Sequence, residues 1–320
     1  VIFTSDNGGM EGHPGEIYTD NYPLDRGKIS LMEGGTRVPL IITGPTVPKG
    51  AQTDVMVNGL DFYPTILSWV HAKPAKDKQL DGADLSQLLS KNPSDASLVT
   101  DTNGKRRDTM VWHFPNGVAL ESTIRIGDYK LVRNYNHVHD PSAIPLELYR
   151  LYQSVDGKQV RVDIEEAKNL VDTEPRRASQ MNDELSLRLE KMNASYPYNN
   201  PAFRNVGRTG KLVPTVTSHE RNGRKVKFTF EENGAKVVQA NLIYSRNGND
   251  RNEEWFRAKA TLDSTNTVIA DLPQGTTHYI INLIDQNNFL VSYPDVPGGN
   301  HFKKTKEKFA KHAISVDAEN

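Results

Sequence analysis

Apolar residues in this chain occur in short runs interrupted by glycine, proline and asparagine, and this pattern limits the folds open to it. No run approaches the roughly 18 consecutive apolar residues that a membrane-spanning helix requires. Short runs rich in β-branched and aromatic residues, bounded by turn formers, are typical of strands. The 320 residues suffice for two or three domains that each bury a core.

Residues 1–100 predict an α/β layer. Residues 1–4 form a buried-strand pattern that ends in turn formers, residues 38–45 form a second strand pattern, and residues 58–70 carry apolar side chains at helical spacing. Asp61 is placed to cap this helix. The chain begins without Met, directly inside the first strand pattern, so we expect it to be a fragment of a longer protein.

Residues 101–200 predict a small α+β subdomain that contains an antiparallel sheet and one helix. The predicted strands are 109–114, 121–126, 129–133 and 147–151. Residues 183–192 place leucine and methionine side chains on one face of a helix. Residues 196–203 are rich in proline and asparagine, which predicts a linker.

Residues 211–297 predict an antiparallel β-sandwich, because short alternating runs are separated by turn residues. The predicted strands are 225–230, 240–244, 255–262, 268–272 and 278–283. Residues 298–320 form a basic tail, in which residues 303–311 predict a solvated helix or a disordered segment.

Charge and cysteine content exclude several classes of function. The 39 Lys and Arg residues nearly balance the 40 Asp and Glu residues, so no overall field favours nucleic acid or an anionic membrane as a partner. Any binding of an anion must therefore be local. The chain contains no cysteine, which excludes disulfides, thiolate metal sites and a cysteine nucleophile within these residues.

A first candidate site follows the first predicted strand. Asp6 and Asn7 offer a carboxylate and an amide carbonyl, the hard oxygen ligands that Ca²⁺ and Mg²⁺ take. The same residues followed by glycine are also an ordinary turn sequence, and that alternative is favoured if the pair is considered alone.

A second candidate site lies in residues 28–39. The paired glycines Gly34 and Gly35 permit close approach of the backbone, and Lys28 offers a compact positive charge to an oxyanion. Glu33 and Arg37 predict a supporting ion pair. A solvated charged loop is the alternative for this segment in isolation.

Taken together, the two segments resemble the type I, formylglycine-dependent sulfatases of the alkaline phosphatase superfamily. The matching residues stand in the order and spacing of that family: residues 5–9, Pro23 and Leu24, Gly27 and Lys28, and residues 33–39. Further matches occur at residues 60–67, 80–82, 124–131 and 147–149. The resemblance covers about residues 1–195 and implies that residues 1–100 are the C-terminal part of an alkaline-phosphatase-like α/β catalytic domain. The sandwich is then an appended module.

By this resemblance, Asp6 and Asn7 are two ligands of an active-site Ca²⁺, with Mg²⁺ as the alternative, and Lys28 binds the sulfate ester oxygens. A cation and a lysine suit sulfate ester cleavage, because charge develops on the sulfuryl and leaving oxygens as the S–O bond breaks. The nucleophile of the family is a formylglycine made from the Cys or Ser of a C-x-P-x-R motif, which these residues lack. We expect that motif and the remaining metal carboxylates upstream. The fragment must then join the missing N-terminal part of the catalytic domain and is inactive alone.

Three further residues are candidates for contact with substrate. Arg26 stands where the family often has a second glycine before the lysine, and it is an additional substrate contact. His13 lies in the glycine-rich loop after the metal pair and is placed to contact substrate or protonate a leaving alcohol. His113 ends a predicted strand that borders the pocket in the family and is a sugar contact, with a packed, hydrogen-bonded imidazole as the alternative.

We therefore interpret the chain as part of a calcium-dependent sulfuric ester hydrolase. Aromatic residues near the predicted pocket, Trp112, Tyr18 and Tyr22, favour a sulfated carbohydrate as substrate. The resemblance implies a periplasmic or secreted location. The sandwich either binds glycan or braces the enzyme, and bracing is favoured because the sequence shows no flat row of exposed aromatic residues. Two alternatives stay open: a phosphonate or phosphate monoester hydrolase of the same superfamily, and a non-catalytic carbohydrate-binding protein with no Ca²⁺ at Asp6 and Asn7.

Overall fold

A computed structural model describes residues 1–15, 18–76, 78–101, 103–116, 119–136, 142–156, 158–203, 207–298 and 301–316. The chain forms two compact units, residues 1–197 and residues 198–320. Both contain antiparallel sheets, and the chain as a whole is mixed α/β. Within the ranges just given, no helix combines the length and the apolar character needed to cross a bilayer.

The first unit opens with a two-stranded antiparallel sheet, in which β1 (Ile2–Thr4) pairs with β2 (Leu40–Ile42). The sequence predicts a buried strand at residues 1–4, but Phe3 is 61% exposed and its partner Ile41 is 60% exposed. The apolar pattern is therefore present without the burial that it predicts. The reason is that these side chains meet no covering layer among the described residues.

Helix α1 (Glu33–Thr36) lies between these two strands in the chain, and a 3₁₀ turn (Gly59–Asp61), α2 (Phe62–Trp69) and α3 (Ser86–Ser90) follow them. The sequence predicts that the Asp61 side chain caps α2, but in the structure it makes no capping hydrogen bond to this helix. Its fully buried carboxylate instead accepts hydrogen bonds from the backbone N–H of Asn58 and of Ala83, both at 2.8 Å. The Arg107 guanidinium binds both carboxylate oxygens, at 2.6 and 2.8 Å. Asp61 thus joins three segments of the unit.

A four-stranded antiparallel sheet and one long helix form the second part of the first unit. The sheet contains, in spatial order, β3 (Thr109–Phe114), β4 (Glu121–Ile126), β5 (Tyr129–Asn134) and β6 (Leu146–Arg150). A hairpin of β7 (Tyr152–Val155) and β8 (Lys158–Arg161) follows. Helix α4 (Pro175–Lys191) begins eight residues before the predicted start at residue 183, because proline at its first position starts the helix ahead of the apolar stripe.

The two faces of this sheet pack against different partners. Leu131 contacts the buried residues Leu185 and Leu189 of α4, on one face. Its neighbour Val132 faces the other way, because successive side chains of a strand alternate, and packs in a separate core with Met32. The sheet therefore supports α4 on one side and the segment just before α1 on the other.

The second unit consists of two sheets that share one apolar core. Its strands are β9 (Thr215–Asn222), β10 (Lys225–Glu231), β11 (Val237–Ser245), β12 (Trp255–Lys259), β13 (Thr261–Leu262), β14 (Thr267–Asp271), β15 (His278–Asp285) and β16 (Leu290–Tyr293). One sheet has the order β13-β14-β10-β9 and the other β12-β11-β15-β16. Buried side chains of β10 and β14 meet those of β11 and β15 between the sheets. The single strand predicted at residues 255–262 is divided, since β12 and β13 belong to opposite sheets.

Residues 301–316 pack on the rest of the second unit. Helix α5 (His301–Thr305) and a 3₁₀ turn (Phe309–His312) lead to β17 (Ile314–Ser315), which pairs with β15. The Phe309 ring meets the Trp255 ring edge-on, with 4.7 Å between centroids, and Ala310 is only 2% exposed. These contacts differ from the solvated tail that the basic composition predicts, because a few apolar residues between the lysines suffice to pack the segment on the sheet.

Candidate functional site

Close contacts between glycine backbones bring the two predicted motifs together. The N–H of Gly8 donates a hydrogen bond to the Gly35 carbonyl at 3.0 Å, and a methyl group at Gly8 would overlap the carbonyl oxygen of Gly34. The N–H of Lys28 donates to the Gly9 carbonyl at 2.7 Å. The segment after β1 therefore lies against the segment that carries Lys28 and α1.

Asn21 organises the loop between these motifs, and the sequence alone does not single it out. Its side-chain oxygen accepts the N–H of Gly9 at 3.2 Å, and its amide nitrogen donates to the carbonyls of Gly9 and Arg26 at 3.1 and 3.0 Å. Its own N–H donates to a carboxylate oxygen of Glu11 at 2.8 Å. Both backbone groups of Gly9 are thus satisfied close to the metal-ligand candidates, which fixes the path of the loop.

A cleft of about 500 Å³ opens beside this loop. Its lining contains two cations and three carboxylates, together with small backbone-exposing residues: Glu11, Gly12, Asp25, Arg26, Gly27, Lys28, Ile29, Ser30, Ala119 and Glu121. Two of the predicted substrate-binding residues, Arg26 and Lys28, therefore share one concave surface.

The two cations of the cleft are in different electrostatic situations. The Arg26 guanidinium lies 3.3 Å from Glu121 and 3.4 Å from Asp25, so carboxylates of the protein already neutralise it. Lys28 is exposed, and its ammonium makes no hydrogen bond or ion pair with any residue that the structure describes. Of the two cations in the cleft lining, Lys28 is therefore the one whose charge no described carboxylate neutralises, and it can bind an incoming anion.

The metal-ligand candidates Asp6 and Asn7 follow β1 directly. Asp6 is exposed, Asn7 is half-buried, and neither side chain has a hydrogen-bond partner among the described residues. The Ser5 hydroxyl instead donates to the backbone carbonyl of Asn7 at 2.8 Å. Two free hard oxygen donors fit a Ca²⁺ or Mg²⁺ ion. In the described ranges, Asp6 belongs to no cluster of three or more His, Asp and Glu side chains with metal-ligand spacing.

His13 and His113 lie outside the cleft lining that the structure describes. The exposed His13 ring has its Nδ1 atom 3.2 Å from the Pro14 carbonyl. His113 on β3 donates from Nε2 to the Ser195 carbonyl at 2.8 Å, and its Nδ1 lies 2.6 Å from the Ser122 hydroxyl. The contacts of His113 correspond to the packed imidazole that we considered as its alternative. Substrate roles for both histidines stay predictions.

A network of buried charged side chains holds the segment that carries Gly34 and Gly35. Lys130 on β5 is fully buried and lies 3.1 Å from Glu33 and 2.7 Å from Glu166. Glu166 also accepts the backbone N–H of Glu33 at 2.6 Å. The predicted ion pair between Glu33 and Arg37 is confirmed, with 2.7 Å between Nε and Oε2. Strand β5 thus holds α1, and with it the backbone of Gly34, in place.

The carboxyl groups of this network and of the cleft have pKa values that are shifted in opposite directions. Burial pushes the pKa of Glu33 upward, but the Lys130 and Arg37 cations outweigh burial and lower that pKa to about 2. Burial raises the pKa of Glu166 to about 7 despite its contact with Lys130. Burial also raises the pKa of Glu121, against the opposing effect of Arg26. Glu33 is therefore the firmly ionised carboxylate of the network.

A substitution at Gly8 tests whether this close packing forms the site. Gly8→Ala is expected to destabilise the first unit by about 1–3 kcal/mol, the usual cost of overpacking, because the new methyl group meets rigid backbone. Thermal unfolding of the variant measures the effect. Gly59→Ala is the matched control, since no atom lies within 4 Å of the added methyl group at that position. Equal unfolding midpoints for the two variants would contradict the proposed packing.

Comparison with known proteins gives a consistent result. Residues 1–72 match the family model described as sulfatase. A protein named sulfatase from Formosa agariphila is 32% identical over 209 residues, which cover 61% of this chain and 33% of that protein. N-acetylgalactosamine-6-sulfatase from Sus scrofa is 35% identical over 131 residues, covering 41% of this chain and 22% of the relative. Arylsulfatase J from Mus musculus is 30% identical over 140 residues, covering 41% and 23%. The chain therefore spans about a third or less of the length of these relatives.

Proposed function

We propose that this chain supplies part of the active site of a sulfate monoester hydrolase, because its residues 1–72 match the sulfatase family model and the relatives described above are named sulfatases. The observation that carries this proposal is the ammonium of Lys28 in the cleft, which has no ion-pair or hydrogen-bond partner in the part of the chain that the structure describes. Its backbone is hydrogen-bonded to Gly9, in the same loop as the oxygen donors of Asp6 and Asn7. An anion and a divalent cation therefore have binding groups on one short, glycine-packed segment.

Each candidate residue has a role that follows from its chemistry. Asp6 and Asn7 would hold Ca²⁺, with Mg²⁺ as the alternative, and that ion supplies positive charge next to the ester oxygens. Lys28 binds the sulfuryl oxygens as a point charge and stabilises the negative charge that grows on them as the S–O bond breaks. His13 donates a proton to the leaving alcohol if the loop places it there.

Arg26 and His113 are the less direct candidates. Arg26 shares its charge with Glu121 and Asp25, so we propose that it shapes the cleft and contacts substrate only through the face left open. For His113, a sugar contact requires one ring nitrogen to exchange its present partner, Ser122 or the Ser195 carbonyl, for a hydroxyl of the substrate.

The remaining catalytic groups are proposed to come from another part of the protein. These residues contain no C-x-P-x-R motif, so the formylglycine and the other metal carboxylates of a type I sulfatase must be supplied from outside them. The exposed apolar side chains of the first unit support this view: Phe3, Ile41, Tyr63, Ile66 and Val70 are 45–63% exposed. Exposed apolar groups such as the paired Phe3 and Ile41 are typical of a surface that another part of a protein covers. We propose that the rest of an alkaline-phosphatase-like catalytic domain covers it.

We propose a sulfated carbohydrate as the substrate and a periplasmic or secreted location for the enzyme. One relative is named for a sulfated amino sugar, N-acetylgalactosamine 6-sulfate, which favours this substrate class. The finer architecture is part of the same proposal: residues 1–100 belong to the catalytic α/β domain, residues 101–200 form its small subdomain, and the two sheets of residues 211–297 are a β-sandwich that braces the enzyme.

An activity assay on the full-length protein tests this proposal. We expect hydrolysis of an aryl sulfate, loss of activity on treatment with a chelator, and recovery with added Ca²⁺. Aryl phosphate and phosphonate esters serve as parallel substrates. Faster turnover of those esters would replace the proposal with a phosphoester hydrolase of the same superfamily. Binding of glycans without turnover of any ester would instead favour a non-catalytic carbohydrate-binding protein.

A further inference from the structure

Two histidines and a glutamate converge near the end of the second unit, in a segment that the proposed sulfatase activity does not use. The Nε2 atom of His301 lies 2.7 Å from Oε2 of Glu307, and the Nε2 atom of His312 lies 3.4 Å from the same oxygen. All three potential ligand atoms lie within 4.8 Å of one another. Among the described residues, these three form the group of His, Asp and Glu side chains whose spacing suits a metal ion.

A second, independent feature of the cluster points to a ligand. The Nε2 atom of His312 is buried and has no hydrogen-bond partner among the residues that the structure describes, although Oε2 of Glu307 lies 3.4 Å away. A buried polar atom without a partner costs about 1–3 kcal/mol, so a native protein usually satisfies it. In the tautomer that carries its proton on Nδ1, this nitrogen offers a lone pair next to a carboxylate oxygen, which together form an open position for a cation.

We propose that His301, Glu307 and His312 bind a divalent transition-metal ion of the Zn²⁺ class. Two imidazole nitrogens and one carboxylate oxygen are ligands that Zn²⁺ prefers. Ligand atoms around a tetrahedral Zn²⁺ ion lie about 3.3 Å apart when the metal–ligand bonds are about 2.0–2.1 Å. The 3.4 Å separation of His312 and Glu307 already has this value, and the 2.7 Å hydrogen bond of His301 opens when the ion replaces its proton.

The surroundings of the cluster favour a structural role for the ion. The Phe302 ring lies 5.2 Å from the His301 ring and 5.4 Å from the His312 ring, so an apolar side chain excludes water from one side. Lys311 reaches Oε1 of Glu307 at 3.8 Å and leaves Oε2 for the ion. Three protein ligands leave a fourth position for water.

The ion would close the segment that leads into β17. His301 begins α5 and His312 ends the 3₁₀ turn just before β17, which pairs with β15 of the larger sheet. An ion bound at these two points of the folded chain, and not by the unfolded chain, stabilises the folded segment and holds β17 at the sheet edge. We therefore expect the ion to stabilise the second unit, and to do so whether or not the first unit carries a sulfatase site.

Calorimetric titration of the metal-free full chain with ZnCl₂ tests the proposal. We expect one high-affinity site per chain, together with a rise in the thermal unfolding midpoint on adding Zn²⁺. His312→Ala and Glu307→Gln should each weaken binding by about 10- to 100-fold or more, since loss of even an outer-shell partner weakens metal sites by that amount. Glu307→Gln keeps the side-chain volume and covers the case in which His312→Ala fails to fold.

His71→Ala is the matched control, because it removes an exposed imidazole from the first unit and leaves the cluster intact. Its Zn²⁺ affinity should equal that of the parent chain. Parent-like affinity in both Glu307→Gln and His312→Ala would overturn the proposal, as would the absence of saturable binding by the parent. In either case the cluster would be an ion pair of Glu307 with protonated histidines and nothing more.

Discussion

Replacing Lys28 with alanine in the full-length enzyme is expected to lower kcat for a sulfate ester about 10²–10³-fold, equivalent to about 2.7–4 kcal/mol of barrier, by analogy with loss of one oxyanion donor. The reason is that Lys28 is the cleft cation that no described carboxylate neutralises. Its charge acts mainly on oxygens that become more negative as the ester bond breaks. Steady-state kinetics with an aryl sulfate measure the change.

Two further variants distinguish a catalytic role for Lys28 from a general effect of charge. Lys28→Arg retains the charge but changes its shape, so we expect partial activity. Lys49→Ala removes an exposed lysine from a turn of the same unit and should leave kcat unchanged. A rise in KM without a fall in kcat would mean that Lys28 binds the ground state equally well. Unchanged kinetics for Lys28→Ala would remove Lys28 from the mechanism.

Replacing Lys130 with methionine is expected to destabilise the first unit by about 3–5 kcal/mol, the usual cost of breaking a buried ion pair by removing one partner. Lys130 is fully buried between Glu33 and Glu166, and methionine has similar volume but no charge. Without Lys130, Glu33 keeps only Arg37 as a cation, and Glu166, whose pKa burial already raises to about 7, has no cation left in a site that water does not reach. Urea denaturation, followed through hydrogen exchange of β4 and β5, measures the loss.

The double variant Lys130→Met, Glu166→Gln provides an internal test of this explanation. Removing one of the two carboxylates should recover part of the lost stability, because Glu33 retains Arg37 as a partner. Lys191→Met, at the exposed end of α4, is the matched control and should change stability by less than about 0.5 kcal/mol. A destabilisation of Lys130→Met as small as that of the control would show that the network contributes little.

The candidate site illustrates what a single sequence can predict. Asp6, Asn7 and Lys28 are found because their chemistry is attached to glycines at characteristic spacing within one short segment. Lys130 and Glu166 are not found, because they contact Glu33 across 97 and 133 residues of sequence. One local signal does exist for Lys130: it occupies a strand position whose neighbours alternate between two buried faces, where an unpaired lysine is costly.

The same distinction holds for the fold. Strands β3 and β4 lie at the predicted residues, because their alternation and turn signals are local. Strand β9 was not predicted, since its exposed, polar sequence becomes a strand by pairing with β10. The burial of β1 was predicted and is not observed, because burial depends on a covering layer and not on the strand itself.

The sequence by itself determined which segments carry oxygen donors, a lysine and paired glycines, because these properties belong to single residues and their near neighbours. Only the tertiary structure decided that Arg26 is held by Glu121 and that His113 is hydrogen-bonded on both ring nitrogens. It likewise decided that His301 and His312 share Glu307. Each of these outcomes depends on which distant groups compete for the same charge or proton, and that competition is set when separate elements pack together.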